Sequence, residues 1–200
     1  MSTLGRALAA VALLAAAIGG GYWWSARGAP AAGPAAGDFV LTDQDSARFD
    51  TRSLRGKVVL VFFGYSNCPD VCPTTLSKLS SVARRLGDAR GGMKVVYVSV
   101  DPERDTPTVL RADLGNFDLD AVGLTGTREE VDRVVAQYGA RYEIVPTPES
   151  AGKYVVNHST TLYVLDRDGR LATEFPYEAT ATEIAATVRA LIGPPDGRAR

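Results

Sequence analysis

Apolar positions along this chain change their period several times, and each change marks an element. After Lys57 the run Val58-Val59-Leu60-Val61-Phe62-Phe63 is apolar at every position, the pattern of a strand covered on both faces inside a sheet. Lys94 to Val100 reads as a second such strand. Between them Leu76, Leu79, Val82 and Leu86 recur at helical spacing, which predicts a helix over 74–86. Pro73 suits a first helical position. A residue before proline is pushed out of the α region, so Cys72 is expected on the loop ahead of that helix. Further along, a helix is expected from about Thr108, and a short strand within Phe117 to Leu124. Thr127, with Glu129 and Glu130 behind it, has the chemistry of an N-cap for a helix reaching about Tyr138. Thr160 to Asp166 and Leu171 to Phe175 read as hairpin arms around Asp168-Gly169. Thr180 to Ile192 reads as the last helix, closed by Gly193-Pro194-Pro195. Phe39 to Leu41 and Ser46 to Phe49 form a weaker hairpin signal near the start. Ala140 to Asn157, with Pro146, Pro148 and Gly152, shows no clear period and is expected to be a long loop. Strands alternating with helices, then a hairpin and a final helix, predict a mixed α/β sheet flanked by helices. A cysteine pair directly between a central strand and a helix narrows this to a thioredoxin-like fold.

The N-terminus follows a different pattern. Ala7 to Trp24 contains no charge, and Tyr22, Trp23 and Trp24 stand at its distal end. That length reaches the lower limit for crossing a hydrocarbon core, and the rings suit a membrane interface. The expected organisation is a single-span anchor over 1–27 and an Ala/Gly/Pro-rich tether over 28–37. A thioredoxin-like domain over 38–193 and a frayed tail over 194–200 complete it. A cleaved signal peptide is the rival reading of the first segment. Either one exports the domain. With no Arg- and Ser-rich leader, a bacterial-type inner membrane is expected, with the domain on the periplasmic side. The net charge of −1 over 200 residues gives no electrostatic footprint for nucleic acid.

Candidate chemistry is concentrated in three residues. Cys68 and Cys72 are the two cysteines of the chain and His158 is its one histidine. In an oxidising compartment two thiols tend to pair, so a plain structural disulfide and a hydrogen-bonded histidine are the bland readings. The sharper readings are a metal clamp or a redox pair. A thiolate at a helix N-terminus is stabilised by the helix dipole and free N–H groups. Two soft sulfurs with one imidazole suit Cu(I), and imidazole also suits Cu(II). Structural zinc takes four protein ligands, and here the fourth would have to be Asp or Glu. The spacing is Cys-x3-Cys rather than the Cys-x-x-Cys of thiol oxidoreductases, and by alignment Thr160 stands where their cis-proline would be. A thiol peroxidase would need an arginine that the motif lacks.

Three segments carry a family resemblance: Phe63-Gly64-Tyr65-Ser66-Asn67-Cys68-Pro69-Asp70-Val71-Cys72-Pro73, Val98-Ser99-Val100-Asp101-Pro102-Glu103-Arg104-Asp105-Thr106-Pro107, and Tyr154-Val155-Val156-Asn157-His158-Ser159. Together they resemble the Sco/SenC family of membrane-tethered copper proteins, over roughly Phe39 to Ile192. The family usually has threonine, and often histidine, where Ser66 and Asn67 stand, and commonly aspartate where this chain has Asn157. The resemblance implies copper held by Cys68, Cys72 and His158, with Asp101 close to the site. It implies a role in assembling the dinuclear copper centre of cytochrome c oxidase subunit II, the expected copper acceptor, with a copper-donor chaperone as a further expected partner. The alternative function is a thiol-disulfide reductase in which Cys68 and Cys72 act on the cysteines of that acceptor.

Overall fold

The computed structural model describes residues 37–147 and 154–193. The expected anchor, nearly all of the tether and the tail lie outside them. Among the described residues no helix is long and apolar enough to cross a membrane.

Among the described residues there are nine strands and four α-helices, all but β6 and β7 following the predicted alternation: β1 Val40–Asp43, β2 Arg48–Asp50, β3 Val58–Gly64, α1 Val71–Leu86, β4 Met93–Ser99, α2 Pro107–Leu114, β5 Ala121–Thr125, α3 Arg128–Gln137, β6 Tyr142–Pro146, β7 Tyr154–His158, β8 Leu162–Leu165, β9 Leu171–Phe175 and α4 Ala181–Ile192. Seven strands form one mixed sheet in the order β2-β1-β5-β4-β3-β8-β9. β3 is an interior strand, parallel to β4 on one side and antiparallel to β8 on the other. Every residue of β3 is buried, which is why its sequence is apolar at every position instead of alternating. α1 packs against α4, and α2 against β5. Thr106, Thr127 and Thr180 cap α2, α3 and α4 through their hydroxyls. The last two form full capping boxes with Glu130 and Glu183, satisfying N–H groups that a helix start leaves open.

Two expectations are corrected. Cys72 is not on the loop: it is the second residue of α1. The steric restriction on the residue before proline disfavours the α region without forbidding it, and the first four N–H groups of a helix have no intrahelical partner to lose. Pro73, in the first turn, therefore deprives the helix of nothing, and the Thr74 N–H donates to the Asp70 carbonyl at 3.2 Å. The second correction concerns 140–157, which is not a plain loop. β6 and β7 pair antiparallel as a separate two-stranded sheet, from Tyr142 opposite His158 to Pro146 opposite Tyr154. Most of its side chains are exposed or only half-buried, so the apolar alternation that announces a strand is weak.

Candidate metal centre

The site is built where three segments meet. Cys68 lies on the turn after β3, Cys72 in the first turn of α1, and His158 at the end of β7. One ligand atom from each lies within 4.8 Å of the others. Cys72 Sγ is 3.4 Å from His158 Nε2, and the Cys72 N–H points to Cys68 Sγ at 3.5 Å. Both cysteines are free thiols. Among the described residues no carboxylate belongs to this cluster, so the fourth ligand that structural zinc takes is missing from the set.

The imidazole is set for coordination. His158 Nδ1 lies 2.9 Å from the Ser159 carbonyl. A carbonyl only accepts, so Nδ1 carries a proton, and Nε2 is the nitrogen that faces the sulfurs. Fixing the far nitrogen in this way is how proteins orient a ligating histidine. Tyr65 and Phe62 meet the His158 ring edge-on, with centroids 5.9 and 6.0 Å away.

The two thiols differ. Cys72 is buried, and Cys68 is part-exposed. Hydrogen bonding from Cys72, opposed by burial and reinforced by His158 and by the Asp70 and Cys72 backbone N–H groups, pulls Cys68 down to about 3. Cys72 moves the opposite way: sharing its proton with Cys68, together with its own burial, pushes it far up. Cys68 is thus a standing thiolate and Cys72 holds the proton. A groove of about 330 Å³ opens beside Cys68, lined by Tyr65, Pro69, Val71, Val155 and His158. A thiolate forms above its pKa, so its population at Cys68 does not change between pH 5 and 8. Alkylation of the reduced, metal-free protein by iodoacetamide is expected to modify Cys68 first, at a rate that varies less than about threefold over that range, whereas an ordinary thiol near 8.5 would gain over a hundredfold. Peptide mapping after timed quenching checks this, and a steep rise in rate with pH would contradict it.

Asp101 and Asp105, both fully buried, tie the three segments together. Asp105 accepts from the Ser66 N–H at 3.0 Å, from the Ser66 hydroxyl, and from the Ser99 hydroxyl at 2.6 Å. This clamps the cysteine turn to the end of β4. Asp101 pairs with Arg104 and accepts from the Tyr154 hydroxyl at 2.7 Å. The Arg104 guanidinium lies 3.7 Å from the Tyr154 ring centroid and donates to the Tyr154 carbonyl at 3.0 Å. The histidine strand is therefore fastened to the loop after β4 at its first residue. Asp101 reaches the histidine strand through Tyr154 and Arg104. The roles of Ser66, Asp105, Arg104 and Tyr154 were not assigned from sequence. Their one signal was that all four fall inside the three motif segments.

The family model described as SCO1/SenC matches residues 27–193. The chain belongs to the SCO1/SenC family. A SCO2-like protein of Rickettsia prowazekii is 34% identical over 148 residues, which is 74% of this chain and 72% of that protein. The copper-bound structure of Bradyrhizobium japonicum ScoI superposes with a TM-score of 0.71 at 40% identity, covering 78% of this chain and 98% of ScoI. BsSco, described as a member of the Sco family of cytochrome c oxidase assembly proteins with a disulfide switch, superposes with a TM-score of 0.62 at 25% identity, covering 79% and 93% of the two chains. A mixed α/β thioredoxin-like sheet, with a Cys-Cys-His cluster beyond the end of its interior strand β3, is the SCO1/SenC architecture present here.

Proposed function

We propose that this chain is a membrane-tethered copper metallochaperone that helps to assemble the dinuclear copper centre of cytochrome c oxidase subunit II, with copper as its cargo. The observation that carries the reading is the cluster of Cys68, Cys72 and His158 ligand atoms within 4.8 Å, with His158 Nε2 left open by the Nδ1 contact to Ser159. Two sulfurs and one imidazole form a low-coordinate set matched to Cu(I) and able to take Cu(II). One position stays free on the side of the groove, through which an acceptor presents its own cysteines and histidines and takes the ion by stepwise ligand exchange. The copper-bound ScoI relative supports the metal, and the BsSco description supports the oxidase. The tether and the periplasmic side rest on the 1–27 segment of the sequence.

A second reading is supported by the unequal thiols. The Cys68 thiolate attacks one sulfur of a disulfide on the acceptor, forming a mixed disulfide and expelling the other sulfur as a thiolate. Cys72 gives up its proton to that leaving thiolate and attacks Cys68 Sγ, leaving the Cys68–Cys72 disulfide and releasing the acceptor with one thiol and one thiolate, which takes its proton from water. Two electrons pass to the acceptor. Mixing the full-length chain, reduced and Cu(I)-loaded, with the metal-free subunit II domain in reduced or oxidised form separates the two. Copper moving to the reduced acceptor supports delivery. Reduction of the oxidised acceptor by the copper-free chain, without metal movement in the first arm, moves the assignment to the reductase. Neither event would remove both.

A further inference from the structure

The hydroxyl of Tyr97 is a buried polar group beside the Cys68, Cys72 and His158 cluster. Tyr97 lies on β4 opposite Phe62 of β3, and its side chain is fully buried. Its oxygen has no hydrogen-bond partner of good geometry. A tyrosine in a sheet core usually either finds a partner or is replaced by phenylalanine, because an unpaired buried hydroxyl is a standing penalty. The ring leans on the site. A methyl group built on Gly64 would lie 2.9 Å from Cys72 Sγ and 3.0 Å from Tyr97 Cε2, so the bare backbone of Gly64 is what lets that sulfur and that ring close on the same spot.

We infer that Tyr97 is a positioning residue for the metal centre, its hydroxyl held ready to donate to Cys72 Sγ when that sulfur binds a soft metal as a thiolate. The inference rests on the metal-binding reading above. In the metal-free protein the Tyr97 hydroxyl is buried without a partner. A sulfur bound to a soft metal carries negative charge, and Cys72 lies within the apolar core. A donor waiting there then satisfies both atoms at once. A hydrogen bond to a metal-bound sulfur draws electron density from it and shifts the metal's electronic transitions. The outlying oxygen is therefore unfavourable in the empty protein and favourable in the loaded one, which shifts free energy from folding into binding.

Tyr97→Phe in the full-length chain tests this. The variant is expected to bind one copper per chain about tenfold more weakly, the scale of one hydrogen bond to a charged atom. The sulfur-to-Cu(II) charge-transfer band is expected at lower energy, and the denaturation midpoint of the copper-free protein unchanged or raised. Affinity within twofold of wild type with an unmoved band would overturn the inference. So would a loss of copper-free stability matching the loss of affinity, the mark of a merely structural ring. A wild-type chain that binds no copper overturns the metal reading itself, and this inference with it. Should Tyr97→Phe fail to fold, the wild-type protein decides. Its buried Tyr97 hydroxyl proton moves downfield on Cu(I) loading if the bond forms, and an unmoved resonance rejects it.

Discussion

Replacing both site cysteines, Cys68→Ser with Cys72→Ser, is expected to lower copper affinity by a thousandfold or more and to abolish the copper-dependent rise in melting temperature. A serine hydroxyl neither ionises at neutral pH nor matches the softness of Cu(I). Even at the roughly 2 kcal/mol of a strong charge-assisted contact for each sulfur, the pair accounts for about a thousandfold at 1.4 kcal/mol per decade. Copper present at about 1,000 times its Kd stabilises the wild-type chain by roughly 4 kcal/mol, or on the order of 10 °C for a domain of this size. The double variant should show none of this. His158→Ala removes one neutral ligand of the three and is expected to cost less, roughly 10–100-fold, comparable to the loss of an orienting partner at other metal sites. Competition against a chromophoric Cu(I) chelator, with melting curves at several copper concentrations, measures both effects. Undiminished affinity in the double variant would remove copper from Cys68 and Cys72 altogether.

The same three residues were legible in the sequence because each comes from a residue type used once or twice in the chain, placed beside a strand that declares itself. An apolar run such as Val58 to Phe63 cannot be covered except in the middle of a sheet, so the position of Cys68 followed directly from it. What was not legible has a physical reason in each case. The proline rule set Cys72 outside the helix because the residue before proline is sterically disfavoured in the α region, a preference and not a prohibition, and in the first turn Pro73 breaks no hydrogen bond that would add to it. The β6–β7 pair escaped notice because its strands cover little of the core and so alternate weakly. Its packing comes through Arg104 and Tyr154, a contact 50 residues apart in sequence. Tyr97 falls inside the strand-like run from Lys94 to Val100, and periodicity of that kind says nothing of where a buried hydroxyl ends.

Asp105→Ala is expected to cost on the order of 3 kcal/mol of folding stability, and Asp105→Asn close to nothing. The carboxylate is fully buried and gathers three donors: the Ser66 N–H, the Ser66 hydroxyl and the Ser99 hydroxyl. Alanine would strand all three in a dry site and release the cysteine turn from β4, so copper affinity should fall along with stability. Asparagine can stand in because the groups around it are not alike. Its carbonyl takes the place of Oδ2, which accepts from the Ser66 N–H and from the Ser99 hydroxyl. Its amide takes the place of Oδ1, where the Ser66 hydroxyl can rotate from donor to acceptor. It also removes a charge. Burial pushes the Asp105 carboxyl above its ordinary 3.8, against the pull of Ser66 and Ser99. A carboxyl raised on folding contributes stability that is full below its unfolded pKa and is lost as pH rises through the folded one. The wild-type chain should therefore lose ground to Asp105→Asn as pH rises from about 3 to 7. Urea denaturation of the three proteins at the two pH values measures it. A stability gap between wild type and Asp105→Asn that widens in the wild type's favour as pH rises would show that the carboxylate charge is a net asset at this position and would reverse the argument.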